Sequence, residues 1–134
     1  LRDIWGNQPA GSIDKLKRGL EQYFTHAIND KTYICYFAKS GNIVAGIGGV
    51  VIREQPGNFK NPSGRVGYVM SMYTVPSFRR KGICSSILKM LISDAKENGV
   101  TAYELHATRS AAPVYEKNGF QIQHEPRYSK HELS

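Results

Sequence analysis

The most constraining feature of the sequence is residues 73–85, where a strand pattern, a chain breaker and a helix pattern follow one another directly. Residues 67–75 are rich in Val, Tyr and Met, which are typical of strands. Pro76 ends that pattern because proline lacks the N–H group that a strand ladder needs. From Ile83 onward apolar residues recur at helical spacing, and Gly99 follows as the expected C-terminal cap. The pattern therefore predicts a strand that turns directly into an amphipathic helix.

The turn before this helix concentrates positive charge, because Arg79, Arg80 and Lys81 stand immediately before Gly82. The first N–H groups of a helix are unpaired, the helix dipole is positive there, and glycine lets a phosphate approach the backbone closely. One interpretation is therefore a diphosphate site. The other is an ordinary solvated basic surface, and the turn alone does not decide between them.

The rest of the chain predicts helices and strands around this junction. We expect residues 1–12 to form a loop or an arm, and a first helix to begin at Ile13 with Ser12 as its N-cap. A short helix capped by Ser110 carries Tyr115. This order predicts one α/β domain over residues 1–134, with a mixed sheet covered by helices. The predicted strands are 32–39, 43–53, 67–75, 101–107, 120–123 and 128–133.

Three glycines, Gly46, Gly48 and Gly49, lie within the second predicted strand. A nucleotide-binding loop is one interpretation of such a segment. Close approach of another part of the chain, or a bulge, explains the glycines without a ligand, and we favour that interpretation. Residues 54–64 follow as a loop, because proline and glycine recur there.

Composition limits the class of protein. With 134 residues, 40% of them hydrophobic, the chain is long enough for a single core. No apolar run approaches the roughly 18 residues of a membrane span and no signal peptide is visible, so we expect no membrane partner. Cys35 and Cys84 have neither disulfide nor metal-site spacing, which predicts no metal and favours the reducing cytoplasm.

The net charge of +7 indicates an anionic partner. Nucleic acid is one such partner, but the basic residues are scattered along the chain and form no known nucleic-acid module. An anionic cofactor accounts for part of the charge. We therefore expect a cofactor and no nucleic acid.

Two motifs carry a family resemblance. Residues 79–84, Arg-Arg-Lys-Gly-Ile-Cys, resemble the R/Q-x-x-G-x-G/A signature of the GNAT acyltransferase superfamily, which binds acetyl-coenzyme A. Residues 115–120, Tyr-Glu-Lys-Asn-Gly-Phe, resemble its Y-E-K-x-G-F motif, and residues 72–76 look like the strand that enters its loop. The resemblance runs from residue 13 to the C-terminus. Cys84 departs from it, because the family prefers glycine or alanine there.

The resemblance implies a GNAT-like fold with a mixed, mostly antiparallel sheet. The strand and helix with which the family begins are absent or unrecognisable here, so we expect the first sheet edge to be unpaired or covered by another copy in a homodimer. A bulge is implied before the loop, with the N–H of Met72 facing the thioester oxygen and the backbone of Thr74 bonding the pantetheine arm. The implied acetyl-CoA contacts are Met72, Tyr73, Thr74, Arg79, Arg80, Lys81, Gly82, Ile83, Cys84, Ser85, Thr108 and Tyr115, with Thr108 replacing an asparagine of many relatives.

The catalytic groups also follow from the resemblance. Tyr115 matches the tyrosine that serves as general acid, and its alternative role is a core aromatic. Some relatives place a glutamate on the strand before the loop, but residues 67–75 contain no carboxylate and Tyr68 occupies that position. Glu104 and His106 on the neighbouring strand are the candidates for a base acting through water. A purely structural histidine is the alternative for His106.

We therefore expect an acetyl-CoA-dependent N-acetyltransferase whose acceptor is a primary amine on a small molecule or peptide. A catalytically silent acyl-CoA-binding module is one alternative, favoured by the missing carboxylate, and a basic nucleic-acid-binding domain is another. The candidate acceptor contacts are Tyr23, His26, Glu54 and Tyr68.

The two cysteines give a separate prediction. Cys84 lies at a helix start among basic residues, where a thiol pKa is usually lowered, so we expect Cys84 to be more reactive than Cys35 in its strand.

Overall fold

A computed structural model describes the backbone of residues 10–132, without the side chains of residues 10–14, 16 and 17. We number the elements in chain order. They are helix α1 (Ala10–Asn29), strands β1 (Tyr33–Ser40), β2 (Ile43–Glu54) and β3 (Arg65–Thr74), a 3-10 turn (Pro76–Phe78), helix α2 (Ile83–Glu97), strand β4 (Ala102–Glu104) and helix α3 (Ala112–Lys117).

The four strands form one mixed sheet in the order β1-β2-β3-β4. β2 runs antiparallel to both β1 and β3, while β3 and β4 run parallel. The predicted class, a mixed and mostly antiparallel sheet flanked by helices, is therefore confirmed. The parallel pairing is short, because only three residues of β3, from Val66 to Tyr68, face partners in β4.

Helix α2 supplies one side of the core. Its buried residues recur at the spacing that predicts an amphipathic helix. They pack against β2 and β3, so the helix lies across the middle of the sheet and its N-terminus is fixed relative to the end of β3. The helix ends as expected, since Gly99 has φ 84° just after its last turn. The shared core includes Val50, Ile52, Val69, Ile87, Leu88, Leu91 and Ala95.

Glycines in β2 allow this close approach. A Cβ atom on Gly46 would lie 2.9 Å from Cγ2 of Ile83, and one on Gly48 would lie 2.7 Å from Cγ2 of Ile87. Both distances are too short for carbon atoms, so a larger residue at either position would push α2 away from the sheet. The interpretation of close chain approach is confirmed, and the nucleotide-loop alternative is wrong.

Several predicted boundaries are wrong. Helix α1 already includes Ser12, which is therefore not its N-cap, and the other part of the predicted arm, residues 1–9, lies outside the described residues. α3 begins after Ala111 without a side-chain cap, and Ser110 does not cap it. The hydroxyl of Thr108 instead accepts a hydrogen bond from the Ala111 N–H at 3.3 Å.

The strands predicted after α3 are also wrong as far as the chain is described. Residues 121–132 are exposed and contain no strand. The reason is the short length of β4. Its pairing with β3 ends at Glu104, so β4 offers too few backbone groups at its free edge for a further strand to pair with it. For the same reason the strand predicted over 101–107 shortens to three residues.

Truncating the core is expected to be costly. Leu88 is fully buried beneath the sheet, so Leu88→Ala removes packing on every side and should lower the free energy of unfolding by about 2–5 kcal/mol. Met90→Ala is the matched control on the same helix, because Met90 is half exposed and should change stability much less. Urea denaturation measures both variants. Equal losses would show that α2 does not pack as described.

Candidate functional site

Strand β3 contains a β-bulge near its C-terminal end. Two residues of β3, Ser71 and Met72, lie opposite the single Gly48 of β2, between the pairs Gly49–Met70 and Ile47–Tyr73. Ser71 has φ 59°, a left-handed conformation that a serine adopts only where the surrounding structure requires it. The sequence alone could not place this bulge, although the resemblance implied it.

The bulge lies where β3 loses its neighbour on one side. β4 pairs with β3 only as far as Tyr68, so within the described residues β3 continues to Thr74 with β2 as its sole partner strand. The N–H of Val75 bonds the carbonyl of Ala45 at 2.8 Å, and the antiparallel alternation then turns the backbone groups of Thr74 and Met72 away from β2. The backbone groups of β3 beyond Tyr68 therefore have no strand partner among the described residues on the β4 side, and we call this gap between β3 and the segment after β4 the cleft.

The turn after β3 leads to an exposed helix start. Gly82 is the N-cap residue of α2, with φ 79° and ψ 10°, and no side chain caps the helix. A Cβ atom on Gly82 would have no neighbour within 4 Å, so the space outside the turn is open. The first N–H groups of α2 therefore have no side-chain cap among the described residues, as an anion site at this turn would require.

The basic side chains are held around this turn. Arg79 donates from Nε to the carbonyl oxygen of Thr74 at 3.0 Å, and its guanidinium lies 5.7 Å from the ring centre of Tyr73. Nζ of Lys81 lies 5.4 Å from the ring centre of Phe78. Arg80 has φ 65°, so the backbone bends sharply just before Gly82. These contacts hold the cations of Arg79 and Lys81 against residues of the segment that leads from β3 into the turn.

Tyr115 of α3 lies against the N-terminal turn of α2. It is buried, packs edge-on against Phe120 at 6.0 Å between ring centres, and approaches Cys84. Burial, and then the nearby Cys84, raise the pKa of its hydroxyl. Tyr115 is thus both a core aromatic and a phenol close to the helix start.

The prediction for Cys84 is wrong in direction. Burial raises the pKa of the Cys84 thiol, because loss of water opposes the charged thiolate. Burial also raises the pKa of Cys35, whose residue is nevertheless exposed on β1.

We now expect Cys35 to react with an alkylating reagent faster than Cys84, because both pKa values are raised and only Cys35 is freely accessible. Mass spectrometry after timed labelling measures the two rates. Cys84→Ser provides a protein with one thiol of known position. Faster labelling of Cys84 in the wild-type protein would contradict this order.

A contact that the sequence did not predict joins α3 to the helix start. Nδ2 of Asn118 donates to Oγ of Ser85 at 3.2 Å and to the carbonyl of Val114 at 2.7 Å. Thr108, by contrast, uses its hydroxyl within the turn before α3, where it also lies 3.1 Å from Oγ of Ser110. Asn118 therefore fixes the position of α3, and of Tyr115, relative to α2.

The candidate base residues meet at the β3–β4 edge. Oη of Tyr68 lies 2.6 Å from Nδ1 of His106, and Nε2 of His106 lies 3.2 Å from a terminal nitrogen of Arg127. Glu104, directly beside Tyr68 in the ladder, pairs with Arg53 at 3.4 Å. Neither arginine was predicted, because no local pattern relates Arg53 or Arg127 to the strand that carries Tyr68.

The other predicted acceptor contacts are not part of this group. Tyr23 packs against Phe24 within α1, and His26 bonds Asp30 of the same helix at 2.8 Å. Glu54 forms an ion pair with Arg65 where β2 and β3 join the 55–64 loop.

The described part of the chain has neither a candidate membrane-spanning helix nor a metal-binding group of side chains. No helix between residues 10 and 132 is long and apolar enough to cross a membrane. The same residues contain no group of three or more His, Cys, Asp or Glu side chains placed to hold a metal ion.

The mixed four-stranded sheet, with a bulge in β3 beside the uncapped start of α2, defines the α/β class to which this fold belongs. The model of the acetyltransferase (GNAT) family matches residues 3–120, so the chain belongs to that family.

Similar solved structures agree with this assignment. A predicted acetyltransferase with acetyl-CoA from Clostridium acetobutylicum is 30% identical, with a TM-score of 0.80 over 93% of this chain and 79% of that chain. A GCN5-related N-acetyltransferase from Ralstonia eutropha is 21% identical, with a TM-score of 0.76 over 92% and 82% of the two chains. Glucosamine-6-phosphate N-acetyltransferase from Arabidopsis thaliana is 18% identical, with a TM-score of 0.67 over 88% and 77%. The last two show the shared fold alone. No curated protein matches the chain.

Proposed function

We propose that this protein transfers the acetyl group of acetyl-CoA directly to a primary amine. The observation that carries the proposal is the bulge at Ser71 and Met72, which faces an open cleft beside the uncapped start of α2. An extended arm with a diphosphate at one end fits this combination, because the cleft offers backbone hydrogen bonds and the helix start offers N–H groups and cations. The acetyl-CoA of the Clostridium structure supports the same assignment.

The residues around the cleft have the chemistry that acetyl-CoA requires. The turn formed by residues 79–85 would hold the diphosphate, and the backbone of Thr74 would bond the arm. The N–H of Met72 would stabilise negative charge on the carbonyl oxygen. We keep Tyr73 and Thr108 as proposed neighbours of the cofactor. When bound, acetyl-CoA supplies an activated thioester, so an amine can form the new C–N bond as the C–S bond breaks.

The reaction also needs two proton transfers that side chains can carry out, one to the departing sulfur and one from the amine. We propose that Tyr115 gives its proton to the departing sulfur, because its hydroxyl is near the helix start and burial keeps it protonated. We propose that Glu104 accepts a proton from the amine through water. Its side chain is largely exposed, and one of its oxygens bonds Arg53. His106 is the other candidate, but both of its ring nitrogens already have partners.

The acceptor is proposed to bind over β3 near Tyr68, with the 54–64 loop at the far end of the site. Glucosamine-6-phosphate N-acetyltransferase, which shares the fold, acts on a small amine, and this supports a small acceptor over a protein surface. Tyr23 and His26 are retained only as contacts for an acceptor that extends to α1. β1 is a sheet edge within the described residues, so an open edge and a homodimer both remain proposals.

Two measurements test the function. Calorimetry with acetyl-CoA should show saturable binding, and a thiol assay should detect CoA release with at least one member of a panel of amines. Binding without release from any amine would favour a silent acyl-CoA module. No affinity for acetyl-CoA, together with nucleic-acid binding that falls steeply with salt, would favour the nucleic-acid alternative.

A further inference from the structure

Three side chains form a chain of hydrogen bonds that ends beside the proposed acceptor site. Arg127 approaches Nε2 of His106 at 3.2 Å, and Nδ1 of the same ring lies 2.6 Å from Oη of Tyr68. The rings of Tyr68 and His106 are 5.8 Å apart between centres, so they meet at their edges. The three residues come from β3, from the segment after β4 and from the segment after α3.

The chemistry of arginine fixes the proton positions in this chain. A guanidinium has only donor groups, so the contact at Nε2 requires a lone pair on that nitrogen. A neutral imidazole with a bare Nε2 carries its proton on Nδ1. Nδ1–H then donates to Oη of Tyr68, and Tyr68 cannot direct its own proton toward the ring. The hydroxyl proton of Tyr68 is left for another acceptor.

We propose that Arg127 and His106 are positioning residues that turn the hydroxyl of Tyr68 into a hydrogen-bond donor toward the acceptor substrate. The atom that it recognises is an anionic oxygen, of a carboxylate or a phosphate, on the molecule that carries the amine. This inference rests on the proposed acetyl transfer for its biological setting, but the proton arrangement stands on geometry alone. His106 then has no free lone pair with which to accept a proton from the amine.

The charges around Tyr68 favour an anionic partner. The guanidinium of Arg53 lies 4.8 Å from the centre of the Tyr68 ring. Arg127 contacts His106, which in turn contacts the hydroxyl of Tyr68. Glu104 offsets one of these two positive charges through its pair with Arg53. One net positive charge therefore remains beside a phenol donor, a combination suited to a carboxylate or phosphate oxygen.

Nitrogen NMR of the histidine side chains tests the proton arrangement directly. At about pH 8 the neutral His106 ring should carry its proton on Nδ1. Arg127→Leu removes the donor and should let the Nε2–H form appear, whereas Arg127→Lys should restore the Nδ1–H form. Arg18→Leu, an exposed change on α1, is the control and should leave the His106 signals unchanged. An Nε2–H ring in the wild-type protein overturns the proposal.

A second measurement tests the ligand class. With saturating CoA present to fill the phosphate turn, sodium acetate and sodium phosphate are titrated separately while the His106 signals are followed. Either anion should shift the signals in wild type and not in Tyr68→Phe, and the stronger of the two identifies carboxylate or phosphate. Sodium chloride at equal ionic strength is the control. Equal responses to all three salts, or no response, would reject anionic recognition by Tyr68.

Kinetics then separate this inference from the proposed function. With a carboxylate- or phosphate-bearing amine, Tyr68→Phe should raise the Michaelis constant of the acceptor about 10- to 100-fold, which is the loss expected for a hydrogen bond to a charged group. The constant for acetyl-CoA should not change. Absence of transfer from every amine would reject the proposed function while the NMR result still decided the proton arrangement. Transfer with an Nε2–H ring would reject only the inference.

Discussion

Gly82→Asp is expected to weaken acetyl-CoA binding by on the order of 100-fold or more while the protein stays folded. A carboxylate at Gly82 would stand beside the proposed diphosphate, and like charges about 4 Å apart near a protein surface repel by roughly 4 kcal/mol. The substitution has room, because a Cβ atom there meets nothing within 4 Å. Calorimetry measures the affinity, and circular dichroism confirms the fold.

Gly82→Asn separates charge from backbone strain. Gly82 has φ 79°, so any side chain costs some conformational energy, and aspartate and asparagine tolerate this region about equally well. The asparagine variant should therefore keep most of the affinity. If both variants bind equally weakly, the backbone conformation matters and the charge does not. Unchanged affinity in a folded Gly82→Asp protein would remove the phosphate site from this turn.

Tyr115→Phe is expected to lower the rate of acetyl transfer by about 10²–10⁴-fold, the usual range for loss of a general acid. The ring and its packing against Phe120 remain, so the fold and the affinity for acetyl-CoA should survive. Burial raises the pKa of the Tyr115 hydroxyl, so the phenol holds its proton to higher pH than a free tyrosine does. The proton donor is consequently present at every pH below about 10.

Single-turnover measurements are needed, because slow product release can hide a defect in the chemical step. Tyr103→Phe is the matched control. Tyr103 is a partly buried tyrosine whose pKa is likewise raised by burial, but its hydroxyl donates to the carbonyl of Ile92 in α2 at 3.1 Å. That variant should transfer acetyl groups at the wild-type rate. A Tyr115→Phe rate within about twofold of wild type would leave Tyr115 with a packing role only.

The sequence predicted what depends on local patterns. Strand β3, helix α2 and the glycine between them were all expected, because proline, glycine and the helical apolar spacing act over a few residues. The bulge at Ser71 was not visible in the pattern, since serine has no preference for a positive φ. The register against β2 imposes that conformation, and register is a property of two strands together.

The errors have a similar origin. The segments after α3 contain residues that are common in strands, but β4 is too short to provide a sheet edge for them to pair with. The pKa of Cys84 was misjudged because the thiol is partly buried, which the sequence does not show, and burial raises the pKa. The hydrogen bonds of His106 join residues from three distant segments, so neither neighbour could be inferred from spacing.

The short ladder between β3 and β4 links occupancy of the cleft to folding. Beyond Tyr68, β3 pairs only with β2 in the described part of the chain, so we expect its amide groups to exchange with solvent more readily than amides held between two strands. A molecule bound in the cleft would form hydrogen bonds with these backbone groups, as a neighbouring strand does. It would therefore stabilise the folded chain by mass action, by about 2.7 kcal/mol when its concentration is one hundred times the dissociation constant. Slower hydrogen exchange in β3 would then report cleft occupancy even where no acceptor amine is known.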